Sequence, residues 1–358
     1  MNKDFWKKKK VLITGHTGFK GSWLSIWLLE LGAEVIGYAL PPYTSKDNFV
    51  LSNLGSKIVD IRGDIRDYIK LKGVFDECNP EIVFHLAAQP LVRESYKNPL
   101  ETYQVNVMGT VNTLECIRTS KSAQIGVMIT SDKCYENKEQ VWGYRENDEL
   151  GGYDPYSSSK GCSELVIKSW RNSFMNPSNY AVHGKSIASV RAGNVIGGGD
   201  WSKDRIVPDC IRASEENRDI KLRNPNAIRP WQHVLEPLCG YLLLAEKLQS
   251  FPKALCGAWN FGPTFDSVIT VKELAERIVR SYGKGEVLSE SKGNTFHETN
   301  LLTLDISKAT RMLGWYPKLD IEQTIDLTVD WYKNYKKADL YDLCKKQINN
   351  YMLEGDED

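Results

Sequence analysis

Val11–Leu24 reads VLITGHTGFKGSWL, and its interpretation decides how the rest of the chain is read. Val11, Leu12, Ile13 and Thr14 form a short, largely branched run suited to a buried strand. Gly15, Gly18 and Gly21 follow in a G-x-x-G-x-x-G spacing, and a helical pattern then carries Trp23, Leu24, Ile26, Trp27, Leu28 and Leu31 up to Gly32. In such a turn the first glycine permits the tight bend, the second lets backbone approach a pyrophosphate, and the third lets the helix pack close on the strand. The helix N-terminus adds unpaired N–H groups and the positive end of its dipole. Strand before and helix after place the motif where this mechanism needs it, so the stretch is read as a dinucleotide-binding turn.

Working outward, the pattern repeats. Glu34–Ala39 (EVIGYA), Ile58–Ile61, Ile82–His85, Ile125–Thr130 and Ser186–Arg191 read as strands. Helical patterns fall at Asp67–Cys78, at about Leu100–Arg118 and at Tyr156–Phe174. This alternation predicts an α/β protein with a Rossmann-type, right-handed doubly wound parallel sheet. Past Arg191 the texture changes to Gly197, Gly198, Gly199, Asp200 and Trp201, then to an arginine-bearing segment ending near Trp231. Leu235–Leu248 reads as a helix returning to the sheet. The expected division is therefore a dinucleotide-binding domain of 1–191 and about 232–262, with a smaller discontinuous substrate-binding lobe of about 192–231 and 263–358.

The chain's 358 residues suffice for a large core, and 46 basic against 46 acidic residues leave no charge to attract nucleic acid or an anionic membrane. Lys7–Lys10 reads as a solvated lead-in to the first strand rather than part of a signal peptide. No stretch approaches the roughly 18 apolar residues of a membrane span, so a soluble, cytoplasmic protein is expected. Eight cysteines and five histidines are dispersed without C-x-x-C or close Cys–His spacing. This pattern fits reduced thiols and no metal site.

The usual acidic residue at the end of the second strand, which binds the ribose hydroxyls of NAD, is replaced by Tyr38, Ala39 and Leu40, followed by Pro41 and Pro42. No arginine stands at that place to favour a 2′-phosphate, which leaves NAD as the expected cofactor. Tyr156-Ser157-Ser158-Ser159-Lys160 is a Y-x-x-x-K spacing at the start of a helical pattern. Residues four apart share a helix face, so an ammonium can favour the phenolate. A phenol so activated can take a proton from an alcohol while hydride leaves for nicotinamide.

These motifs resemble the extended short-chain dehydrogenase/reductase family along nearly the whole chain: TGHTGFKG, GDIRD (63–67), HLAAQ (85–89), NVMGT (106–110), YSSSK, and LGWYPKLDIEQTI near the end. TSDKCYEN (130–137), RAGNVIGGGDW (191–201) and RPWQHVLEP (229–237) resemble, within it, the dehydratases that act on CDP-glucose. The resemblance implies that Ser131 bonds the sugar C4 hydroxyl and Tyr156 takes its proton as C4 is oxidised. The C4 ketone then acidifies C5, water is lost across C5 and C6, and hydride returns to C6. The product would serve dideoxysugars of O-antigen and other bacterial surface polysaccharide.

Where the family's dTDP-glucose dehydratases carry an Asp-Glu pair, this chain has Asp132 and Lys133. Asp132 suits the acid to the C6 oxygen. Lys133 suits either the C5 base, if partly neutral, or an electrostatic partner of the developing enolate. The resemblance also implies cofactor contacts at Thr17, Phe19, Lys20 and Tyr38, at the adenine-contacting pair Asp64 and Ile65, and at Leu86, Ala87 and Ala88 beneath the pyrophosphate. Asn106, Thr130, Tyr156, Lys160 and Arg191 complete that set, Lys160 meeting the nicotinamide ribose. Implied substrate contacts are Gln89, Ser131, Asn194, His233 and the diphosphate-gripping Arg229, with Arg205 and Arg223 assisting or merely solvated. Tyr135 and Trp201 suit either sugar or base contact or packing. An epimerase or decarboxylase of the same fold, and a catalytically silent dinucleotide sensor, are the competing readings. The family's usual pairing of two helices per subunit implies a homodimer or homotetramer.

Overall fold

The computed structural model describes residues 1–222, 224–264, 267–289 and 301–353. Its centre is a parallel sheet of β1 (Lys10–Thr14), β2 (Glu34–Ala39), β3 (Val59–Arg62), β4 (Ile82–His85), β5 (Ile125–Ile129), β6 (Ser186–Arg191) and β7 (Gly257–Asn260). The seven strands lie in the order β7-β6-β5-β4-β1-β2-β3. Val11 pairs with Val35 on one side and Ile82 on the other. Strands buried on both faces by helices read as unbroken apolar runs rather than alternations, and β4, β5 and β6 are buried throughout. Strand order reverses between β1 and β4, which opens a crevice at their C-terminal ends, beside Gly15 and Leu86.

The expected helix at Leu100–Arg118 is a composite of Pro99–Tyr103, a π-helical turn at Gln104–Met108, and Gly109–Thr119. The reason is local: the Asn106 carbonyl accepts the hydroxyls of Thr110 at 2.7 Å and Ser163 at 2.9 Å. Competition of that kind widens the helical turn.

Beyond β6 the smaller lobe is made of short pairings, Val195–Ile196 with Gln232–His233, Ile228–Pro230 with Val268–Thr270, and Ile220–Leu222 with Val287–Ser289. Helices Ile206–Glu215, Val271–Tyr282 and Ile321–Asn334 cover them. The last helix, Leu340–Leu353, packs against Phe19–Glu30, with Tyr351 edge-on to Trp27 at 5.7 Å. One apolar cluster consequently runs from the central sheet to these C-terminal helices. Among the described residues no helix is long and apolar enough to cross a membrane.

Glu236 locks this arrangement. Its buried carboxylate accepts Lys318 N at 2.8 Å, Leu319 N at 2.7 Å and the Tyr351 hydroxyl at 2.7 Å. Burial nevertheless pushes its carboxyl up to about 7. A folded-state value above the unfolded one means that the folded chain holds the extra proton. The stabilisation is full below the ordinary carboxyl value and is lost as pH rises through about 7. Glu236→Gln, which mimics the protonated form, is expected to flatten the loss of stability between pH ~4.5 and ~7 seen by thermal denaturation.

Candidate active site

The glycines form the floor of the crevice. Gly15 has φ of 79°, and a Cβ there would lie 2.7 Å from Ala87 N. A Cβ on Gly21 would lie 2.2 Å from the Gly15 carbonyl oxygen, whereas one on Gly18 would meet only that oxygen, at 3.4 Å. Gly15 and Gly21 are therefore needed for chain-to-chain approach, and Gly18 keeps the mouth open. Gly18 caps helix Phe19–Glu30 without a side chain, leaving the first-turn N–H groups directed at the crevice. This cradle fits a pyrophosphate. Gly21→Ala is expected to weaken dinucleotide binding at least tenfold, measured by calorimetric titration, because the atom it meets is backbone; Gly18→Ala is expected to cost less.

At the C-terminal end of β5 the chain makes a tight turn, Asp132–Cys134, with Ser131 as its N-cap. Ser131 Oγ donates to Asp132 Oδ1 at 2.8 Å and accepts Lys133 N at 3.2 Å. Opposite stands helix Pro155–Ser173, started by Asp154, which accepts Ser157 N at 3.0 Å and Ser157 Oγ at 2.6 Å, and by Pro155 at its first position. That start places Tyr156 in the first turn and Lys160 one turn on.

Ser131, Asp132, Tyr156 and Lys160 are all buried, and Lys133 is half-buried. Ser131 beside the Tyr156 phenol acts to lower it, but burial outweighs this and pushes the phenol up to about 12. Lys160 Nζ donates to the Ile129 carbonyl at 3.4 Å rather than resting on the phenol, and burial brings its ammonium down to about 8. Lys160 and Tyr156 thus share one helix face, with the ammonium bonded to the strand end before Ser131. Lys20 is half-buried beside the site, pushed down to about 8 by burial and then by the Arg205 charge, with Asp132 and Asp200 opposing.

Other expected contacts are distributed unevenly. Leu86, Ala87 and Ala88 remain partly accessible along the crevice, as do Phe19 and Asn194, the latter at φ 50°. Thr17 Oγ1 donates to the Leu40 carbonyl at 3.0 Å. Tyr38 donates from its hydroxyl to the Asp64 carbonyl at 2.9 Å, and the Asp64 carboxylate is held by Arg66. Ile65 is buried against Gly109. Arg205 pairs with Asp200 at 3.1 Å, and Arg229 is half-buried on its short strand. Trp201 packs edge-on to Tyr332 and Tyr335, each at 5.2 Å, which favours packing over ligand contact. Arg223 lies outside the described residues.

Several residues expected to touch ligands also hold bonds or contacts within the fold. Arg191 donates to Glu164 at 2.7 Å, to the Tyr135 hydroxyl at 2.7 Å and to the Glu146 carbonyl at 3.0 Å, and is buried at 3 % exposure. Thr130 donates its hydroxyl to Glu164 at 2.5 Å. Asn106 holds Gln89 N at 2.8 Å, the Gln89 carbonyl at 3.1 Å and Ser159 Oγ at 2.8 Å. Gln89 closes its own loop through Leu91 and Thr102. His233 is buried edge-on to Trp23 at 6.0 Å and is driven down to about 3 by burial, as a neutral packing residue.

Sequence reasoning passed over three residues. A Cβ on Gly193 would lie 2.0 Å from Asp132 Oδ2, so its bareness seats the Asp132 carboxylate. Gln232 fixes this contact by donating to the Gly193 carbonyl at 3.1 Å. Glu164 continues the Tyr156, Lys160 spacing by one more turn, which was its available signal.

Residues 12–328 match the family model described as GDP-mannose 4,6 dehydratase. The chain is 50% identical over 353 residues, 98% of each chain, to CDP-glucose 4,6-dehydratase of Salmonella typhimurium (strain LT2). Among solved structures it is similar to dTDP-glucose 4,6-dehydratase of Bacillus anthracis in complex with NAD, with a TM-score of 0.76, 21% identity and coverage of 93% and 99%. It is also similar to UDP-glucose 4-epimerase of Stenotrophomonas maltophila with bound NAD, with a TM-score of 0.78, 20% identity and coverage of 92% and 99%. At such identities the solved structures speak for the fold alone, a parallel sheet with helices on both faces. With both the family model and the half-identical relative spanning most of its length, the chain belongs to the GDP-mannose 4,6 dehydratase family.

Proposed function

We propose that this protein is a hydro-lyase that converts CDP-D-glucose to CDP-4-dehydro-6-deoxy-D-glucose and water. The observation that carries the reading is the joining of Asp132 and Lys133 to the Ser131, Tyr156, Lys160 set, in a chain half identical to a CDP-glucose 4,6-dehydratase. NAD, held by the Gly15–Gly21 cradle and Leu86–Ala88, supplies the hydride acceptor at C4 and the donor at C6. Ser131 and Tyr156 bind the C4 hydroxyl, and Tyr156 takes its proton. Ser131 can do so because it stands beside the Tyr156 phenol, its hydroxyl donating to Asp132 and its oxygen accepting the Lys133 N–H. Asp132 delivers a proton to the departing C6 hydroxyl, which converts a poor leaving group into water. Lys133, the next residue on the turn, acts at C5 as base or as enolate partner.

Lys133→Met is expected to let C4 oxidation proceed and to build up reduced cofactor while product formation slows about 10²-fold or more. Failure to reduce cofactor at all would remove Lys133 from a role confined to C5. The overall reading is tested by mass spectrometry of CDP-, UDP- and dTDP-glucose after incubation with protein and NAD. The expected result is loss of one water from CDP-glucose; unchanged mass with all three sugars would refute dehydration. An isomer of unchanged mass would instead support epimerisation.

Two copies are proposed to pair through helices Pro99–Thr119 and Pro155–Ser173, where Leu100 (72 % exposed), Met108 and Leu165 present apolar side chains outward. Light scattering is expected to give at least twice the 40.7 kDa chain mass.

A further inference from the structure

The geometry points to Glu164 and Arg191 as a buried pair that positions the chemistry-bearing turn at both of its ends. This inference rests on the functional reading above and adds residues to its machinery. Glu164 and Arg191 are each 3 % exposed and lie 2.7 Å apart. Through Oε1, Glu164 accepts the hydroxyl of Thr130 at 2.5 Å, and Thr130 immediately precedes Ser131. Through Oε2 it accepts Ser189 Oγ at 2.8 Å as well as Arg191. Arg191 reaches past the turn to the Tyr135 hydroxyl at 2.7 Å, and Tyr135 donates onward to Asn260 Oδ1 at 2.8 Å. The guanidinium carbon also lies 4.8 Å from the centre of the Tyr135 ring.

Ser131, Asp132, Lys133 and Cys134 are therefore strung between Thr130 and Tyr135, and one ion pair holds both posts. Helix Pro155–Ser173 carries Glu164 at the same spacing from Lys160 that Lys160 has from Tyr156. The pair thereby ties the turn to the very helix that presents the phenol and the ammonium. Rotation or sliding of the turn against that helix would change the distance from Ser131 to Tyr156 and the aim of Asp132. A buried charge pair suits this task because its directional bonds hold one arrangement where apolar contact would tolerate several. Glu164 and Arg191 touch neither cofactor nor sugar in this reading; they act through Thr130 and Tyr135.

Removing either charge would leave its partner buried and uncompensated, so the tests remove neither. Thr130→Val deletes the upstream link with little change of shape, Tyr135→Phe deletes the downstream one, and Thr130→Ser keeps the hydroxyl as a rescue. The first measurement is hydrogen–deuterium exchange over residues 131–135 in the full-length protein. Cys134 N and Tyr135 N bond within the turn at 3.3 Å each, and both are expected to exchange faster in the T130V and Y135F variants but not in T130S. The second is steady-state kinetics on CDP-glucose, normalised to folded protein. In T130V and Y135F kcat is expected to fall about tenfold or more with KM little changed, and T130S is expected to recover most of it. Unchanged exchange in both deletions would overturn the tethering. Faster exchange with unchanged kcat would overturn the positioning role and leave a purely structural pair. The exchange comparison needs no turnover, so it decides the tethering even if wild-type protein leaves CDP-glucose untouched, the result that would instead overturn the dehydratase reading.

Discussion

Tyr156→Phe is expected to abolish the rise in reduced-nicotinamide absorbance when the protein, NAD and CDP-glucose are mixed, and to lower kcat by about 10²- to 10⁴-fold. The phenol stands beside Ser131. It lies one helical turn from Lys160, whose ammonium burial has brought down to about 8. Burial by itself holds the phenol up at about 12. To take the proton of the sugar hydroxyl it must first give its own to solvent, and the positive charges of Lys160 and of a bound nicotinamide ring would favour that phenolate. The substitution removes one hydroxyl and one hydrogen bond, a stability cost of about 1 kcal/mol. The helix start itself is secured by Asp154 and Pro155 rather than by the tyrosine. A folded protein without cofactor reduction is therefore the expected outcome. Cofactor reduction near the wild-type rate in Y156F would remove the tyrosine from the role assigned to it.

Gly193→Ala is expected to separate the half-reactions. The added Cβ would fall 2.0 Å from Asp132 Oδ2 and 2.2 Å from its Cγ, closer than any real contact. Gly193 cannot retreat easily, because Gln232 holds its carbonyl and the next residue, Asn194, is already at φ 50°. The Asp132 carboxylate must swing away from the site, and a displacement of about 1 Å at a reacting group costs on the order of 10²-fold. Ser131 loses its Asp132 acceptor but keeps the Lys133 N–H, and Tyr156 stands on the opposite helix, so oxidation at C4 is expected to continue. Rapid-quench analysis should show the 4-keto sugar and reduced cofactor accumulating while release of the 6-deoxy product falls about 10²-fold. Asp132→Asn is expected to give the same pattern without the steric change. If G193A slows C4 oxidation and elimination equally, Asp132 does not act at C6 alone.

Where local chemistry dictated local structure, the sequence was legible almost residue by residue. The apolar runs at 34–39, 82–85 and 186–191 are strands with those bounds, because an alternating α/β chain gives its buried strands no polar face and marks their ends with glycine, proline or charge. The glycine turn follows from the same logic, since a positive φ at Gly15 and a backbone contact at Gly21 leave no room for a side chain. Y-x-x-x-K brought Tyr156 and Lys160 together because both lie on one helix.

Residues that face ligands were harder to tell from residues that support those that do. Arg191, Thr130, Asn106, Gln89 and His233 sit within or beside motifs of the site, yet their polar atoms bond protein partners elsewhere in the chain or turn into the core. Which neighbour an arginine or asparagine meets depends on strands and helices brought together across tens or hundreds of residues, a relation with no period in the sequence. Gly193 is the clearest instance, for its importance comes from the side chain of Asp132, distant in the chain, pressed against it.

The sequence by itself determined the doubly wound sheet and the strand, glycine turn and helix of its first unit, since each rests on residues within one or two turns of each other. The tertiary structure alone decided that Lys160 bonds the Ile129 carbonyl, that Gly193 seats Asp132, and that Arg191 belongs to Glu164. Those relations are set by the packing of β5 and β6 against one helix, where burial removes water as an alternative partner and favours bonds within the protein.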